Sequence, residues 1–335
     1  MDARKWAVVL ALGTMAGGLT ATLGTTPARA QDASLKVISF RSITTAPIFA
    51  AQQNGFFDRK KIKIELTFTR NSDQLRNGVA DGTYQIAHAA VDNAVNQIEN
   101  QKHDVVIVIG GDGGLNQLFV QPEINSLEDM KGKTIAVDAP HTAFALLLYK
   151  MLKSKGINKG EYQVKPVGGT PQRLKALLSD KTLAGGLLGP PYSVAAEKSG
   201  KLKNLGSPSA VVGDYQSGGA WVLRSWGKAN ADTLVRYLQA YIQGSRWLRD
   251  PANKAAVIAM LQSRLKLEPD VATRSYEVAM DEKSGGWAKN AVFNMEGFKN
   301  TLGLRAELQG QWGGKPPAPD KFIDLSYYRK ALAGL

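Results

Sequence analysis

The amino-acid sequence predicts an α/β fold made of two similar lobes, each with a parallel-rich sheet and flanking helices. Apolar, β-branched runs alternate with helical segments over the first two thirds of the chain, which is typical of parallel sheets covered on both faces. The stretch LRNGVADGTYQIAHAAVDNAV at 75–95 also returns in outline as LKALLSDKTLAGGLLGPPYSV at 174–194. Each copy has a leucine-led helix, a turn, a small-residue strand and a helix start, so the second lobe should resemble the first.

The elements of the first lobe follow from the residues at their ends. Pro47 suits the first turn of a helix and Gly55 its exit, and Asn71 or Ser72 is placed to cap the next helix. We expect strands over LKVISF (35–40), IKIELTF (62–68), YQIAHAA (84–90) and DVVIVIGG (104–111), and helices over IFAAQQNGFF (48–57), SDQLRNGVA (72–80) and VDNAVNQIEN (91–100).

The second lobe repeats this order, and a helical region follows it. We expect strands over KTIAVDAP (133–140) and EYQVKPVGG (161–169), and helices over HTAFALLLYKMLKSKG (141–156) and TPQRLKALLSD (170–180). A further strand is expected over GGAWVLRS (218–225), at the return to the first lobe. The remaining helices begin near Asp232, Asp250, Pro269 and Asp320, where acidic or proline residues favour a first turn. We expect these helices to pack on the first lobe.

Composition restricts the class of protein. The chain has 335 residues, of which 44% are hydrophobic and 21% charged, enough for two domains of moderate size. It has no cysteine, which excludes disulfides, a thiolate nucleophile and sulfur ligands for a metal. The net charge of +13 comes from dispersed lysines and arginines without aromatic interleaving, so it favours a mild attraction for anions over nucleic-acid binding.

The first 30 residues predict a secretory signal peptide. Arg4 and Lys5 precede an apolar stretch at 6–23, and Ala28, Arg29 and Ala30 form the small-x-small pattern of a cleavage site. The alternative is a membrane anchor, but repeated Gly and Thr residues leave the apolar core too weak for a span of about 20 residues. We therefore expect cleavage after Ala30 and export to the periplasm.

The order of motifs resembles the periplasmic solute-binding proteins of ABC importers, in the sulfonate, taurine and nitrate branch that also includes thiamine-pyrimidine-binding domains. The resemblance rests on APIFAAQQNGFFDRKKIKIEL, on the 75–95 stretch, on LEDMKGKTIAVDAP and on LLGPPYS. It implies a two-lobed type II binding protein that closes around a solute and docks on a membrane permease. Lobe I would comprise 31–118 with 220–335 and lobe II 119–219, with crossovers near 118–122 and 216–222.

Polar residues at the ends of the predicted strands are the candidate binding site. In open α/β sheets a ligand lies beyond the carboxyl ends of the strands, where the following helices expose free N–H groups. The candidates for ligand binding are Arg41, Ser42, Thr44, Thr45, Asn71, His88, Asp92, Asn93, Asp112, Gly113, Asp138, His141, Thr142, Thr170, Pro190, Tyr192 and Gln216.

Several of these residues have a structural alternative. Asp92, Asn93, His141 and Thr142 could cap helices, and His88 could be a buried histidine bonded to backbone. As a ligand-binding residue, His88 could donate from one ring nitrogen and accept at the other. The GGDGG run at 110–114 lacks the Lys-Ser/Thr of a nucleotide-binding loop, so its glycines are better explained by a sharp turn or a close approach.

The chemistry of the solute stays open at this stage. Arg41, Arg70 and the net charge favour an anion such as a sulfonate or nitrate, whereas Asp92, Asp112 and Asp138 favour an amine or a heterocycle. We expect no catalytic residue, no cofactor and no metal, and a monomer whose partners are the solute and an ABC permease. An enzyme of the same architecture, such as a thiamine-pyrimidine synthase, is the alternative, although no hydrolase or zinc-protease motif is present.

Overall fold

The computed structural model describes residues 32–281 and 285–335. The predicted signal peptide and its cleavage site after Ala30 lie outside the described residues. Within the described ranges the chain forms ten strands and fourteen α-helices. The strands are β1 Ala33–Phe40, β2 Ile62–Thr69, β3 Ile86–Ala90, β4 Val105–Asp112, β5 Gln117–Val120, β6 Thr134–Val137, β7 Gln163–Pro166, β8 Leu183–Leu188, β9 Lys203–Asn204 and β10 Gly218–Leu223.

The helices follow the strands along the chain and then accumulate in its last third. They are α1 Ala46–Gln53, α2 Phe56–Arg59, α3 Ser72–Ala80, α4 Asp92–Glu99, α5 Ala143–Lys153, α6 Thr170–Ser179, α7 Tyr192–Ser199, α8 Ser209–Val212, α9 Arg224–Ala229, α10 Ala231–Arg249, α11 Lys254–Leu265, α12 Pro269–Met280, α13 Met295–Gln309 and α14 Ser326–Ala333. Of the two caps considered for α3, the Asn71 side chain accepts the Gln74 N–H at 2.8 Å.

The described strands form two mixed sheets of the same design. The first has the order β2-β1-β3-β10-β4 and the second β7-β6-β8-β5-β9. In each sheet the first three strands in this order are parallel. The fourth is the strand that arrives from the other lobe, and it is antiparallel to its β3 or β8 neighbour. The matching orders confirm the predicted α/β fold of two similar lobes, and the repeated stretches form α3-β3-α4 and α6-β8-α7.

The chain passes between the sheets at residues 113–116 and 213–217. The first crossing lies before the predicted 118–122, because Leu118 to Val120 pair with β8 and belong to the second sheet. The second crossing lies at the start of the predicted 216–222, since β10 begins at Gly218. Each crossing is short and joins strands in different lobes.

Both faces of each sheet are covered by helices. In the first lobe α1, α10 and α14 pack on one face, and α3, α4 and α13 pack on the other. In the second lobe α5 covers one face and α6 and α7 the other. Helix α13 contacts both lobes, because Phe298 and Leu302 join the first core while Leu304 and Leu308 join the second. The helices after β10 therefore do not pack on the first lobe alone.

Among the described residues, no helix combines the length and the apolar character that a membrane crossing requires.

Candidate functional site

A cleft lies between the two lobes, at the carboxyl ends of the parallel strands. Its wall comes from the ends of β1, β3 and β4 in the first lobe, from the loops after β6, β7 and β8 in the second, and from both crossings. The free volume is about 80 Å³, room for about five to eight water molecules or a small solute. The convergence of strand ends that the sequence predicted is therefore present as a cleft with walls from both lobes.

His88 forms part of the first-lobe wall as a buried, neutral side chain. It is the third residue of β3 and is 5% exposed. Its Nε2 lies 2.8 Å from the Tyr237 hydroxyl, and its ring lies 4.7 Å from that of Tyr241. Burial lowers the pKa of His88 to about 3, because the charged imidazolium would lose its hydration. A neutral ring held by a phenol can position a solute but is a weak base at pH 7.

Asp112 ends β4 and links the two crossings. Its carboxylate accepts the Gly114 N–H at 3.0 Å, and its backbone carbonyl accepts the Ser217 N–H at 3.1 Å. Gly218 is required beside it, since a Cβ there would lie 1.8 Å from Asp112 Oδ2. Burial raises the pKa of Asp112 to about 6, against hydrogen bonds from Gly114, Gly218 and Ser217 that favour the carboxylate. The site thus places a titratable group where both hinge segments meet.

The second-lobe wall is built on Asp138 and Arg173. Asp138 follows β6 and accepts hydrogen bonds from the Thr142 and Ser72 hydroxyls, the latter at 3.3 Å. Arg173 is 1% exposed, and its Nη1 lies 3.9 Å from Asp138 Oδ1. Its nitrogens donate to the Leu187 and Gly168 carbonyls and to Thr170 Oγ1, at 2.9 to 3.0 Å. This wall therefore has a carboxylate and a guanidinium that largely balance each other.

Direct hydrogen bonds join the two lobes across the cleft. The Ser42 hydroxyl donates to the Pro190 carbonyl at 3.2 Å, and the Tyr192 hydroxyl donates to the Arg41 carbonyl at 3.2 Å. The Gly169 N–H also donates to the Arg70 carbonyl at 3.1 Å. These are neutral hydrogen bonds between partly exposed groups, each worth about 1 kcal/mol, so an unliganded protein can break them at moderate cost.

The residues predicted to bind ligand divide into two sets. One set lines the cleft and consists of Ser42, Thr44, His88, Asn93, Asp112, Asp138, Thr142, Thr170 and Pro190. The other set has different surroundings and consists of Arg41, Thr45, Asn71, Asp92, Gly113, His141, Tyr192 and Gln216. In the first set, the side chain of Asn93 is fixed by Arg76, whose Nη1 donates to Asn93 Oδ1 at 2.8 Å.

The second set has identifiable structural contacts. Arg41 lies over the Phe68 ring at 5.0 Å, and Thr45 donates to the Phe40 carbonyl. Asn71 caps α3, as described above. Gly113 lies in the first crossing, and its N–H donates to the Gly285 carbonyl at 2.8 Å. Gln216 lies in the second crossing, where its Oε1 accepts the Asn294 N–H at 2.6 Å.

Asp92 is paired with Arg305 in a buried ion pair away from the cleft lining. The two side chains are 1% and 0% exposed, and Asp92 Oδ2 lies 2.7 Å from Arg305 Nη2. That same Nη2 donates to the His141 carbonyl at 3.2 Å, and Asn96 Nδ2 donates to it at 3.3 Å. Because His141 belongs to the second lobe, this cluster ties α4 and α13 to the loop before α5. Asp92 therefore helps to join the lobes from outside the cleft.

Sequence reasoning missed part of the lining. The additional polar and aromatic residues are Phe40, Ser72, Asn116, Phe144 and Arg173. Arg173 is the most consequential, and its position in the first turn of α6 directly after a strand-exit loop was the available signal. Phe40 and Phe144 were not predicted to line the cleft, because aromatic residues at strand ends and helix starts are also common in cores.

A second depression of about 920 Å³ lies on the outer side of the second lobe, between α5, β7 and the end of α13. It is the larger of the two, and His141 is the single predicted residue in its wall. The strand ends do not converge there, and among its described lining residues Lys153 and Glu307 already pair at 3.0 Å. The interlobe cleft is therefore the better candidate for the principal site.

Comparison with known proteins places the chain in a family. The model of the NMT1-like family matches residues 28–262. The chain belongs to the NMT1-like family. No curated protein sequence is significantly similar to this NMT1-like protein.

Solved structures share the fold of this NMT1-like protein over most of its length. The nitrate-binding protein NrtA from Synechocystis PCC 6803 superposes with a TM-score of 0.74 at 12% identity, covering 91% of this chain and 89% of its own. A ligand-binding component of an ABC-type import system from Staphylococcus aureus, with zinc bound, superposes with a TM-score of 0.73 at 19% identity. This match covers 90% of this chain and 99% of the other. The alkanesulfonate-binding protein SsuA from Xanthomonas axonopodis pv. citri, bound to MOPS, superposes with a TM-score of 0.64 at 18% identity. This match covers 75% of this chain and 85% of the other. These likenesses confirm the fold of periplasmic binding proteins.

Proposed function

We propose that this NMT1-like protein is the periplasmic solute-binding component of an ABC importer. In this role it captures a small polar solute between its lobes and delivers it unchanged to a membrane permease. The observation that carries the proposal is the cleft itself, whose polar wall is contributed by both lobes and sealed by hydrogen bonds between them. The fold shared with import components and the predicted signal peptide also support it.

Closure follows from differential affinity. A solute that contacts both Asp112 in the first lobe and Thr170 in the second gains more interactions in the closed state than in the open one, so binding shifts the population toward closure. The hydrogen bonds at Ser42, Tyr192 and Gly169 across the cleft are neutral and individually weak, so the interactions of the solute with both lobes can shift the equilibrium. Micromolar affinity corresponds to about 8 kcal/mol, which several directed hydrogen bonds and two apolar contacts can supply.

The imidazole of the cleft wall is poorly suited to acid–base catalysis. His88, the imidazole in the described part of the cleft wall, has a pKa of about 3 and is held by Tyr237. A group with that pKa is a poor general base near neutral pH, because it gains too little from taking a proton. We therefore propose that the solute leaves the cleft chemically unchanged.

The charge of the solute is a separate question. Arg41, Arg70 and the net charge of the chain favour an anion such as a sulfonate or nitrate. Neither of these arginines lines the cleft, and Arg173 is the cationic side chain among the described lining residues. The importer role itself needs only a small polar solute, and it stands for either charge.

Thermal melting of the mature protein against a panel of solutes tests this function. The panel is taurine, ethanesulfonate, nitrate, benzoate, cytosine and simple amines. A ligand at a hundred times its dissociation constant adds about 2.7 kcal/mol, which raises the melting temperature of a chain of this size by about 4 °C.

Two matched variants locate the binding. Ala89 is part of the cleft wall on β3, so Ala89→Leu should fill the cleft and abolish the rise. Ala255 lies exposed on α11, so Ala255→Leu should leave the rise unchanged. If no solute in the panel stabilises the protein, or if Ala89→Leu responds like the wild type, the importer role assigned to this cleft is wrong.

A further inference from the structure

The cleft wall contains a buried carboxylate that has no counter-ion among the described residues. Asp112 is 5% exposed, and its hydrogen bonds come from two backbone N–H groups and the Ser217 hydroxyl. These donors are neutral, so they solvate the carboxylate without cancelling its charge. Within residues 32–281 and 285–335, no lysine or arginine forms an ion pair with Asp112. A charge buried in this way is costly unless a partner arrives to compensate it.

The titratable neighbours of Asp112 are also uncharged. The Tyr241 phenol of α10 lies close enough for the carboxylate to raise the pKa of Tyr241 further above its usual value, on top of the larger effect of burial. His88 of β3 stacks near Tyr241 and has a pKa of about 3. Both side chains are therefore neutral at pH 7, and neither offsets the charge of Asp112.

The other charged groups of the cleft already have partners. Asp138 lies 3.9 Å from Arg173 and accepts hydrogen bonds from Thr142 and Ser72. The three guanidinium nitrogens of Arg173, Nε, Nη1 and Nη2, each donate to a protein oxygen. The charged side chains of the described lining are thus two carboxylates and one guanidinium. The unbalanced negative charge is that of Asp112.

The lining also offers two aromatic faces, one from each lobe. Phe40 ends β1 in the first lobe, and Phe144 lies in the first turn of α5 in the second. Both side chains are half-buried. A flat apolar group in the cleft can contact both rings, and cationic groups are themselves attracted to aromatic faces.

We propose that the solute carries a cationic nitrogen that pairs with Asp112, on a flat apolar body that contacts Phe40 and Phe144. This inference rests on the proposed function and names the chemical class of its solute. It differs from the anion that the net charge of the chain favours, because that charge lies on dispersed surface groups whereas the cleft carries the opposite sign. Pairing with the solute would also act on the hinge, since Asp112 is bonded to both crossings.

Three compounds of nearly equal size and shape test the inference. Benzamidine is positively charged, benzamide is neutral and benzoate is negatively charged. Dissociation constants are measured by isothermal titration calorimetry near pH 8, where Asp112 is ionised. We expect benzamidine to bind at least about tenfold more tightly than benzamide, because a charge-assisted hydrogen bond is roughly twice as strong as a neutral one, and we expect benzoate to bind most weakly.

Two variants test the role of Asp112. Asp112→Asn keeps an oxygen acceptor for the backbone N–H groups, and it should reduce the preference for benzamidine over benzamide to about twofold or less. Asp320→Asn, at an exposed position outside the cleft, should keep the full preference. The ranking of the three compounds by the wild-type protein stands as a test even if Asp112→Asn folds poorly.

The outcomes separate this inference from the proposed function. If benzoate, a sulfonate or nitrate binds more tightly than benzamidine, the inference is overturned while the importer role stands. Undiminished preference for benzamidine in folded Asp112→Asn also overturns it. If no compound of either charge binds, the proposed function itself fails.

Discussion

The buried pair of Asp92 and Arg305 gives the sharpest prediction about stability. Arg305→Met keeps the length of the side chain but leaves Asp92, which is 1% exposed, without its counter-ion. Removing one partner of a buried ion pair costs about 3–5 kcal/mol, because the remaining charge must stay desolvated. The variant also loses the hydrogen bond to the His141 carbonyl. For a chain of this size, we expect the melting temperature to fall by about 5–8 °C.

A double-mutant cycle identifies the mechanism. Replacing both charges with apolar residues of similar size is often nearly neutral, so Asp92→Leu combined with Arg305→Met should recover most of the loss. Urea unfolding followed by tryptophan fluorescence gives the free energy of unfolding for each variant. Arg274→Met is the control, because Arg274 is 59% exposed and pairs with Glu277 on the surface of α12, and it should change stability by less than about 0.5 kcal/mol. A double variant as unstable as the sum of its singles would refute the reasoning.

Three further predictions follow from the cleft residues. The pKa of His88 is about 3 when folded and about 6.5 when unfolded, so the unfolded state binds more protons between these values. Acidification from about pH 6 should therefore destabilise the wild type relative to His88→Leu, by about 1.4 kcal/mol per pH unit in urea titrations. Asp112 has the opposite sign: its pKa is raised from 3.8 to about 6, so its contribution to stability is present below about pH 4 and lost as the pH rises through 6. Asp112→Asn should remove the stabilisation that the wild type gains when Asp112 is protonated. The free energy of unfolding of the variant should therefore fall more steeply than that of the wild type between pH 6 and 4. Gly218→Ala forces a Cβ toward Asp112 Oδ2 and should lower stability by about 1–3 kcal/mol, and an unchanged melting temperature would contradict the packing described at the hinge.

The fold could be predicted because its main strands carry strong local signals. The β4 run is apolar and buried on both faces, and the repeated stretches share residue types at matching positions. Strand β5 was missed because Gln117–Val120 is too short for a periodic signal, and its partner β8 lies more than sixty residues further along the chain. Helices α10, α11 and α12 begin close to the predicted Asp232, Asp250 and Pro269, and α14 begins after Asp320, but no helix was predicted over α13. Helix α13 also contacts both lobes, which no local pattern indicates.

The site could be predicted only in part, for a physical reason. Strand exits are where ligand groups and helix caps both occur, and sequence alone does not separate the two uses. Asn71 caps α3, whereas Asn93 lines the cleft, although both follow strands that flank β1 in the first sheet. Asp92 and Asp112 have the same side chain, yet Asp92 has a partner more than two hundred residues away and Asp112 has none among the described cations. Such long-range pairings decide the electrostatics of the cleft.

The central claim is that the lobes close on a solute, and a distance between the lobes measures it most directly. Because the chain has no cysteine, two fluorophores can be attached at Lys63→Cys on β2 and Lys175→Cys on α6, both exposed positions. Single-molecule energy transfer then reports open and closed populations with and without the solute that gives the largest melting shift. We expect that solute to move the population toward the shorter distance, with Ala89→Leu unresponsive. A single distance that stays the same at saturating solute would contradict the account.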